Sequence, residues 1–515
     1  MQLRLFSRRE DDAPLLVLDV ASRQTLSLAI WLSGKVPPIP LCAGLGRCGR
    51  CRVRFRNGAP DPLPRERETL SEGEIADGWR LACRQEPDME GLDLEVPGLG
   101  DVSKDDVVHG SSGRDAAGGC LLAVDLGTTS ICWQAVGEDG EILASGGFLN
   151  PQAGAGADVM SRLALARRPE MRRRLSTLVR SGLTDVCERL PWKVRGMCLA
   201  GNTAMTAIFL DRDVEGLCVA PYRVEFPGDS IVDVPGFPPA YIPPLPAPFI
   251  GGDVSAGLAA LLKAGARRPF VLADIGTNGE FACITESGEA YIASVPMGPA
   301  LEGIGLACGH IAGPDVVTDF AITPAGLETR PDLPMPRGIS ATGYLALLSI
   351  LLQWKALDRH GHFARDEKVD SRLLRGILDR VENAQNGLRL LLPHGLWLTA
   401  GDVEELLKVK AAFSLALEKL LAAAGVTQER IADLWIAGTL GEHANPEHLE
   451  TLGFIPRALT RKVRVAGNTS LRGAALLVRD NEARRSIAAL CAGARLVHLV
   501  EDADGRAFLD RMVFD

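Results

Sequence analysis

Four of the chain's twelve cysteines are spaced so that they could do chemistry together. Cys42, Cys48 and Cys51 form a C-x5-C-x2-C run in LCAGLGRCGRCRVRF, and Cys83 follows in WRLACRQ. Four thiolates are what a [2Fe–2S] cluster needs, two per iron. Gly44, Gly46 and Gly49 suit a loop of that kind, which requires positive φ and bare N–H groups aimed at sulfur. A zinc ion held by four cysteines is the alternative. Zinc sites usually use two CxxC knuckles, and only Cys48 and Cys51 form one here. Cys120, Cys132, Cys187, Cys198, Cys218, Cys283, Cys308 and Cys491 show no ligand spacing and read as small core residues.

A second chemistry is written twice. CLLAVDLGTTSICWQAV, from Cys120, and FVLADIGTNGEFACI, from Phe270, each run from an apolar strand through Asp-aliphatic-Gly-Thr into another strand. The amides around Gly127 and Gly276, with the hydroxyls of Thr128 and Thr277, could cradle phosphate oxygens. Asp125 and Asp274 could hold Mg2+ through water. Two such hairpins could clamp the β- and γ-phosphates. Ala-Gly-Asn-Thr also occurs twice, at 200–203 and 466–469, each time opening an apolar helix at Asn202 or Asn468. Two pairs in register imply a duplicated α/β lobe. Glu280, closing the second hairpin, and Asp253, in GGDV, are candidates to position an attacking water. A P-loop lysine motif is absent from the sequence, which argues against a Walker-type NTPase.

These groups need elements to hold them. Gln2–Arg8 and Leu15–Val20 read as strands and Leu26–Ser33 as a helix stopped by Gly34. Residues 158–190 and 402–423 read as helices with core-facing stripes. Residues 98–119, rich in Gly, Ser and Asp, read as a flexible linker that lets the cluster swing. The expected division is a cluster domain at 1–97, the linker at 98–119, one ATPase lobe at 120–266 and a second at 267–515. Arg47, Arg50, Arg52, Arg54 and Arg56 read as a solvated strand face, with a docking rim for an acidic redox partner as the alternative. His360 and His362 read as surface residues.

The 515 residues carry 56 Lys and Arg against 65 Asp and Glu, a net charge of −9. That balance argues against nucleic acid or an anionic membrane as partner. No apolar run reaches the roughly 18 residues that span a bilayer. Charges from Arg8 to Asp12 interrupt any signal-peptide core, so a cytoplasmic location is expected. A homodimer is compatible with the sequence but not specified by it.

The cysteine spacing resembles that of adrenodoxin-like ferredoxins, which implies an α+β β-grasp domain with Cys83 as fourth ligand. The duplicated lobe resembles the superfamily of acetate and sugar kinases, heat-shock chaperone ATPases and actin. That implies a two-lobed, ribonuclease-H-like α/β ATPase. Asp125, Gly127, Thr128 and Thr129 look like its first phosphate hairpin for ATP, Asp274, Gly276, Thr277 and Asn278 like its second, Gly438, Thr439 and Gly441 in LWIAGTLGEH like its adenosine-binding turn, and the helices at Asn202 and Asn468 like its connecting helices. Nearly the whole chain resembles the reductive activators of corrinoid proteins. The likeness is carried by NPQAGAGADVMSRL (150–163), AGNTAM, FIGGDVSAGL (249–258), DIGTNGE, GPALEGIGLACG (298–309) and GNTSLRGAAL. GISATGYL (338–345) stands where the resemblance leads one to expect a cysteine-containing Gly-rich loop. The resemblance implies ATP-dependent reduction of a corrinoid protein from Co(II) to Co(I). The electron would come from the cluster, which an upstream low-potential donor would recharge. A small-molecule kinase, an activator of a radical dehydratase and a nucleotide-binding redox sensor are the competing readings.

Overall fold

The computed structural model describes residues 2–20, 24–39, 41–42, 44–46, 48–86, 91–99, 108–109, 119–364, 371–384, 387–438, 444–499 and 505–514. The chain divides into two compact units. One comprises Met1–Gly252 with Ala474–Asp480, the other Asp253–Gly473 with Asn481–Asp515.

Unit 1 begins with β1 (Gln2–Phe6), β2 (Leu16–Asp19), α1 (Leu26–Trp31), β3 (Arg52–Phe55), α2 (Pro64–Thr69), α3 (Glu72–Ala76), β4 (Trp79–Leu81) and β5 (Leu92–Glu95). The sheet order is β2-β1-β5-β3-β4, with β1 and β5 parallel and the other pairs antiparallel. This is the β-grasp that the cysteine spacing led us to expect. Alternation in β1 turns Leu3 and Leu5 inward, where they meet Leu26 and Ile30 of α1 and Val53, Leu81 and Leu94 of the sheet. The first strand is shorter than its apolar pattern because Asp11 accepts a hydrogen bond from the Arg8 amide (2.8 Å) and turns the chain early.

The linker is not bare throughout. β6 (Val108–His109) pairs antiparallel with Ser145 and Ala144 of β9 (Ile142–Leu149). Composition could not reveal this, since pairing two residues through the backbone needs no side-chain signal. Residues 100–107 and 110–118 of the expected tether lie outside the described residues.

Lobe I continues with β7 (Cys120–Leu126) and β8 (Ser130–Val136), which form an antiparallel meander with β9. Then follow α4 (Val159–Ala166), α5 (Pro169–Arg189), β10 (Val194–Gly201), α6 (Thr203–Phe209), α7 (Glu215–Cys218), β11 (Ser230–Val232) and β12 (Ala240–Ile242). The sheet runs β11-β12-β10-β7-β8-β9-β6. Helix α5 buries Leu175, Val179, Leu183 and Val186, the core stripe read from the sequence.

Unit 2 repeats the plan. After α8 (Gly252–Lys263) come β13 (Phe270–Ile275), β14 (Asn278–Ile284) and β15 (Ala290–Pro296), again an antiparallel meander. Strand Asp433–Gly438 lies parallel to β13, and Val463–Gly467 beside it leads into helix Thr469–Leu477. In unit 1 β10 lies parallel to β7 and leads into α6, so the duplication read from the two motif pairs is present in the fold. The long helix Ala400–Ala424 buries Leu406, Phe413, Leu417 and Leu420 against the meander. GISATGYL forms a strand, Gly338–Ile339, that turns at Ser340 into helix Ala341–Gln353; the Ser340 hydroxyl accepts from the Gly343 amide at 3.2 Å. Among the described residues no helix is long and apolar enough to cross a membrane.

Candidate functional site

The cysteine loop brings its four sulfurs into one neighbourhood. Cys42 and Cys48 share a thiol hydrogen bond, and so do Cys51 and Cys83. Cys48 is also close enough to Cys51, and Cys83 to Cys42, to interact electrostatically. The Cys42 partner, then burial, hold the Cys48 thiol far above its ordinary pKa; the Cys83 partner and burial do the same to Cys51. Cys83 moves the other way, because Cys51 donates to it and the Gly46 amide points at its sulfur. The three expected glycines all take positive φ, +83° at Gly44, +70° at Gly46 and +63° at Gly49. Side chains brace the loop from behind. Thr69 donates to the Gly46 carbonyl (2.9 Å) and Arg84 to the Gly44 carbonyl (3.2 Å). None of the twelve cysteines is in a disulfide. Among the described residues no three His, Cys, Asp or Glu side chains converge on a single metal position.

One brace escaped the sequence reading. Glu66 is fully buried, and its carboxylate accepts from the Leu81 amide (2.7 Å), Gln85 (2.8 Å) and the Leu63 amide (2.8 Å). It ties α2 to the segment carrying Cys83. Its only sequence signal was the spacing of a helix-capping glutamate. The arginine series differs from a solvated face. Arg54 is only 12% exposed and pairs with Asp77 and Glu95, while Arg56 lies over the Phe6 ring. Arg52 pairs with Glu74, and Arg47 lies outside the described residues. Intramolecular partners thus engage Arg52, Arg54 and Arg56, which departs from the expected solvated face.

In unit 1 the first hairpin joins β7 to β8. Asp125 closes β7 opposite Cys132, and Ala200 of β10 flanks it. Gly127, Thr128 and Thr129 make the turn, with both threonines buried. Asn150 reaches it from the end of β9, donating to the Gly127 carbonyl through its side chain (2.8 Å) and to the Thr129 carbonyl through its amide (2.8 Å). Asn202 donates to the Thr128 hydroxyl (3.2 Å) while capping α6 through the Met205 amide (2.9 Å). The second motif of the lobe therefore sits against the first.

In unit 2 the second hairpin joins β13 to β14 through Gly276 and Thr277, and Asn278 begins β14. Asp274 and Glu280 are directly opposite on the two strands, so their carboxylates share one face of the sheet. Cys132 occupies the equivalent place in unit 1, so the duplication is not chemically symmetric. Thr277 donates to Glu302 (2.8 Å), a buried carboxylate in GPALEGIGLACG that sequence reasoning did not single out. Gly438, beside Asp274 at the end of its strand, has φ +73°, and a Cβ built there would lie 2.5 Å from Asp274 Oδ1. Thr439 and Gly441, expected in the adenosine turn, lie outside the described residues. Asn468 caps its helix through the Leu471 amide (2.7 Å). Asp253 accepts from the Val254 amide (2.8 Å) in the first turn of α8. His362 is exposed and meets Asp358, as read from its polar loop.

Two family models match the chain. Residues 120–262 match the RACo middle region, and residues 268–514 match the C-terminal domain of RACo, described as the ASKHA domain. The corrinoid activation enzyme RamQ of Eubacterium limosum is 27% identical over 390 residues, 70% of this chain and 64% of that protein. The match thus spans just under two thirds of that relative's own length. A component of the Na(+)-translocating NADH-quinone reductase of Chlamydia pneumoniae is 38% identical over 74 residues, 14% of this chain and 17% of that one. A solved structure described as a reductive activator for corrinoid, iron-sulfur protein superposes with a TM-score of 0.66 at 22% identity. It covers 100% of this chain and 98% of its own.

Proposed function

The chain belongs to the RACo family, and on that footing we propose that it reduces a corrinoid protein of a methyltransferase system from Co(II) to Co(I) at the expense of ATP. The observation that carries the reading is the presence, in one chain, of four paired thiols and two Asp-x-Gly-Thr hairpins of duplicated design. The first is electron-transfer chemistry and the second is phosphate chemistry; few functions need both.

Cys42, Cys48, Cys51 and Cys83 would hold a [2Fe–2S] cluster, which supplies electrons one at a time. Their grouping into two pairs supports two irons over one zinc, because a single zinc requires all four sulfurs to converge. The Gly46 amide, aimed at Cys83, stabilises the thiolate form that a ligand must take. Thr128, Thr129 and Asn278, with the amides of Gly127, Gly276 and Thr277, would bind phosphate oxygens of ATP, and Gly438, Thr439 and Gly441 the adenosine. Asp125 and Asp274 would hold Mg2+ through water. Glu280, sharing a face with Asp274, would orient the attacking water; Cys132 stands at the equivalent position in lobe I.

Hydrolysis converts ATP and water to ADP and phosphate, and the cobalt gains one electron and no proton. ATP contributes only by favouring the partner conformation in which reduction is downhill, in proportion to the activator's differential affinity for that conformation. The upstream electron donor is of low potential.

The visible spectrum of a Co(II) corrinoid protein tests this. Co(I) should appear only with the chain, a low-potential reductant and Mg·ATP together. Equal rates without ATP would overturn the reading, and net phosphorylation of a small molecule would replace it with a kinase. A smaller effect is expected at the nucleotide itself. Gly438→Ala places a methyl against Asp274, and ATP affinity measured by calorimetry should fall roughly tenfold, about 1.4 kcal/mol.

A further inference from the structure

Cluster domain and lobe I share unit 1, and the short helix α1 packs on both. At the N-terminal end of α1, the Leu26 amide donates to the Gln85 carbonyl (2.9 Å) and the Ser27 amide to the Ala82 carbonyl (3.0 Å). Those two carbonyls flank Cys83. The other end of α1 is seated in lobe I. Leu32 is 4% exposed and belongs to the lobe I core, with Leu28 packed against it. Arg174 of α5 donates through Nε to the Leu32 carbonyl (2.7 Å) and through a second nitrogen to the Ser33 carbonyl. Trp31 presses on Gly154 so closely that a Cβ at Gly154 would lie 2.6 Å from the Trp31 Cβ.

Gly154 lies in a 3-10 turn, Pro151–Ala155, and Asn150 caps that turn by accepting from the Gln152 amide (2.9 Å). The same Asn150 is bound to the carbonyls of Gly127 and Thr129 in the first hairpin. An unbroken series of direct contacts therefore runs from the hairpin through Asn150, the 3-10 turn, Trp31 and α1 to the backbone on either side of Cys83.

We propose that this seat is the interface through which nucleotide at the first hairpin controls how the cluster domain is held on lobe I. The proposal rests on the ATP reading above. Phosphate binding pulls on the amides of the turn whose carbonyls Asn150 holds, so Asn150 and the turn it caps move with the hairpin. The Trp31–Gly154 contact has no slack to absorb that movement. A close-packed contact passes a displacement on or lets go; it does not deform gradually. Arg174 is the positioning residue, since its two hydrogen bonds to the carbonyls of Leu32 and Ser33, just past α1, decide whether the seat holds.

Hydrogen exchange on the full chain with its cluster tests this, with a non-hydrolysable ATP analogue and Mg2+, and calorimetry run in parallel to establish occupancy. In the native chain, saturating analogue should change exchange of amides 26–34 at least threefold. Arg174→Ala should raise that exchange about tenfold without nucleotide and abolish its response to nucleotide. Analogue affinity should stay within about twofold of native, and the cluster's absorbance should be unchanged. Arg174→Lys, which keeps one donor, should fall between the two. Gly154→Ala reaches the seat from the other side and should also release 26–34. If calorimetry shows the analogue bound while exchange at 26–34 is indifferent to it, the link is wrong and the ATP reading stands. If the analogue does not bind, the ATP reading fails and takes the link with it.

Discussion

Asp274→Ala is expected to abolish Mg·ATP turnover while leaving the visible spectrum of the cluster unaltered. Asp274, next to last in β13, lies between two features that leave little freedom, Glu280 opposite on β14 and Gly438 against its Oδ1. A carboxylate placed beside another carboxylate is unfavourable unless a cation lies between or near them. Removing it should therefore cost the fold little and the phosphate chemistry a great deal. Loss of one preorganised charged group of this kind lowers turnover by roughly 100- to 1,000-fold. Asp274→Asn, of the same shape, should be nearly as inactive, which separates charge from packing. Asp125→Ala should behave alike, since the same carboxylate ends β7 in the first hairpin. The measurement is steady-state phosphate release, with thermal unfolding run beside it. Full turnover in either alanine variant would show that the phosphates bind elsewhere.

Cys83→Ser should remove the other half of the function. Cys83 is 6% exposed, carries the Gly46 amide on its sulfur and shares a hydrogen bond with Cys51. A serine hydroxyl there is a far weaker ligand, because it gives up its proton far less readily than a thiol. Native protein prepared without oxygen should be red-brown, with about two irons and two sulfides per chain. The variant should be bleached or strongly shifted, and it should still hydrolyse ATP. A native protein that is colourless and loaded with zinc would refute the iron reading directly.

How much of this was legible in the sequence depended on how local the signal was. The β-grasp and its loop were readable because the four spaced cysteines fall in two short segments and glycines mark positive φ beside them. The repeated meander was readable because Asp-x-Gly-Thr joins adjacent strands, so each hairpin is specified within about fifteen residues. Glu302 and Glu66 were missed for the opposite reason. Each meets its main partner across a distance in sequence, Thr277 and Leu81 respectively, and nothing near either glutamate announces the contact. Arg54 was misread because alternation identifies which way a strand residue points but not whether neighbouring strands bring carboxylates to cover it. The seat of α1 joins residues 31–34 to residues 154 and 174, and no pattern in a single segment could have disclosed it.

The discontinuity of unit 1 has a consequence for how the chain is made. Ala474–Asp480 counts with Met1–Gly252, and within that short return Ala474 and Leu477 are fully buried while Arg479 reaches the Asp139 carbonyl. A ribosome adding about 5–20 residues per second needs roughly 10–50 seconds to travel from residue 252 to residue 480. For that interval the nascent N-terminal half lacks its last piece. Folding in order of synthesis therefore stops short for lobe I while the whole of Asp253–Gly473 emerges. Any premature stop before 474 damages a unit whose main run of sequence ended more than two hundred residues earlier.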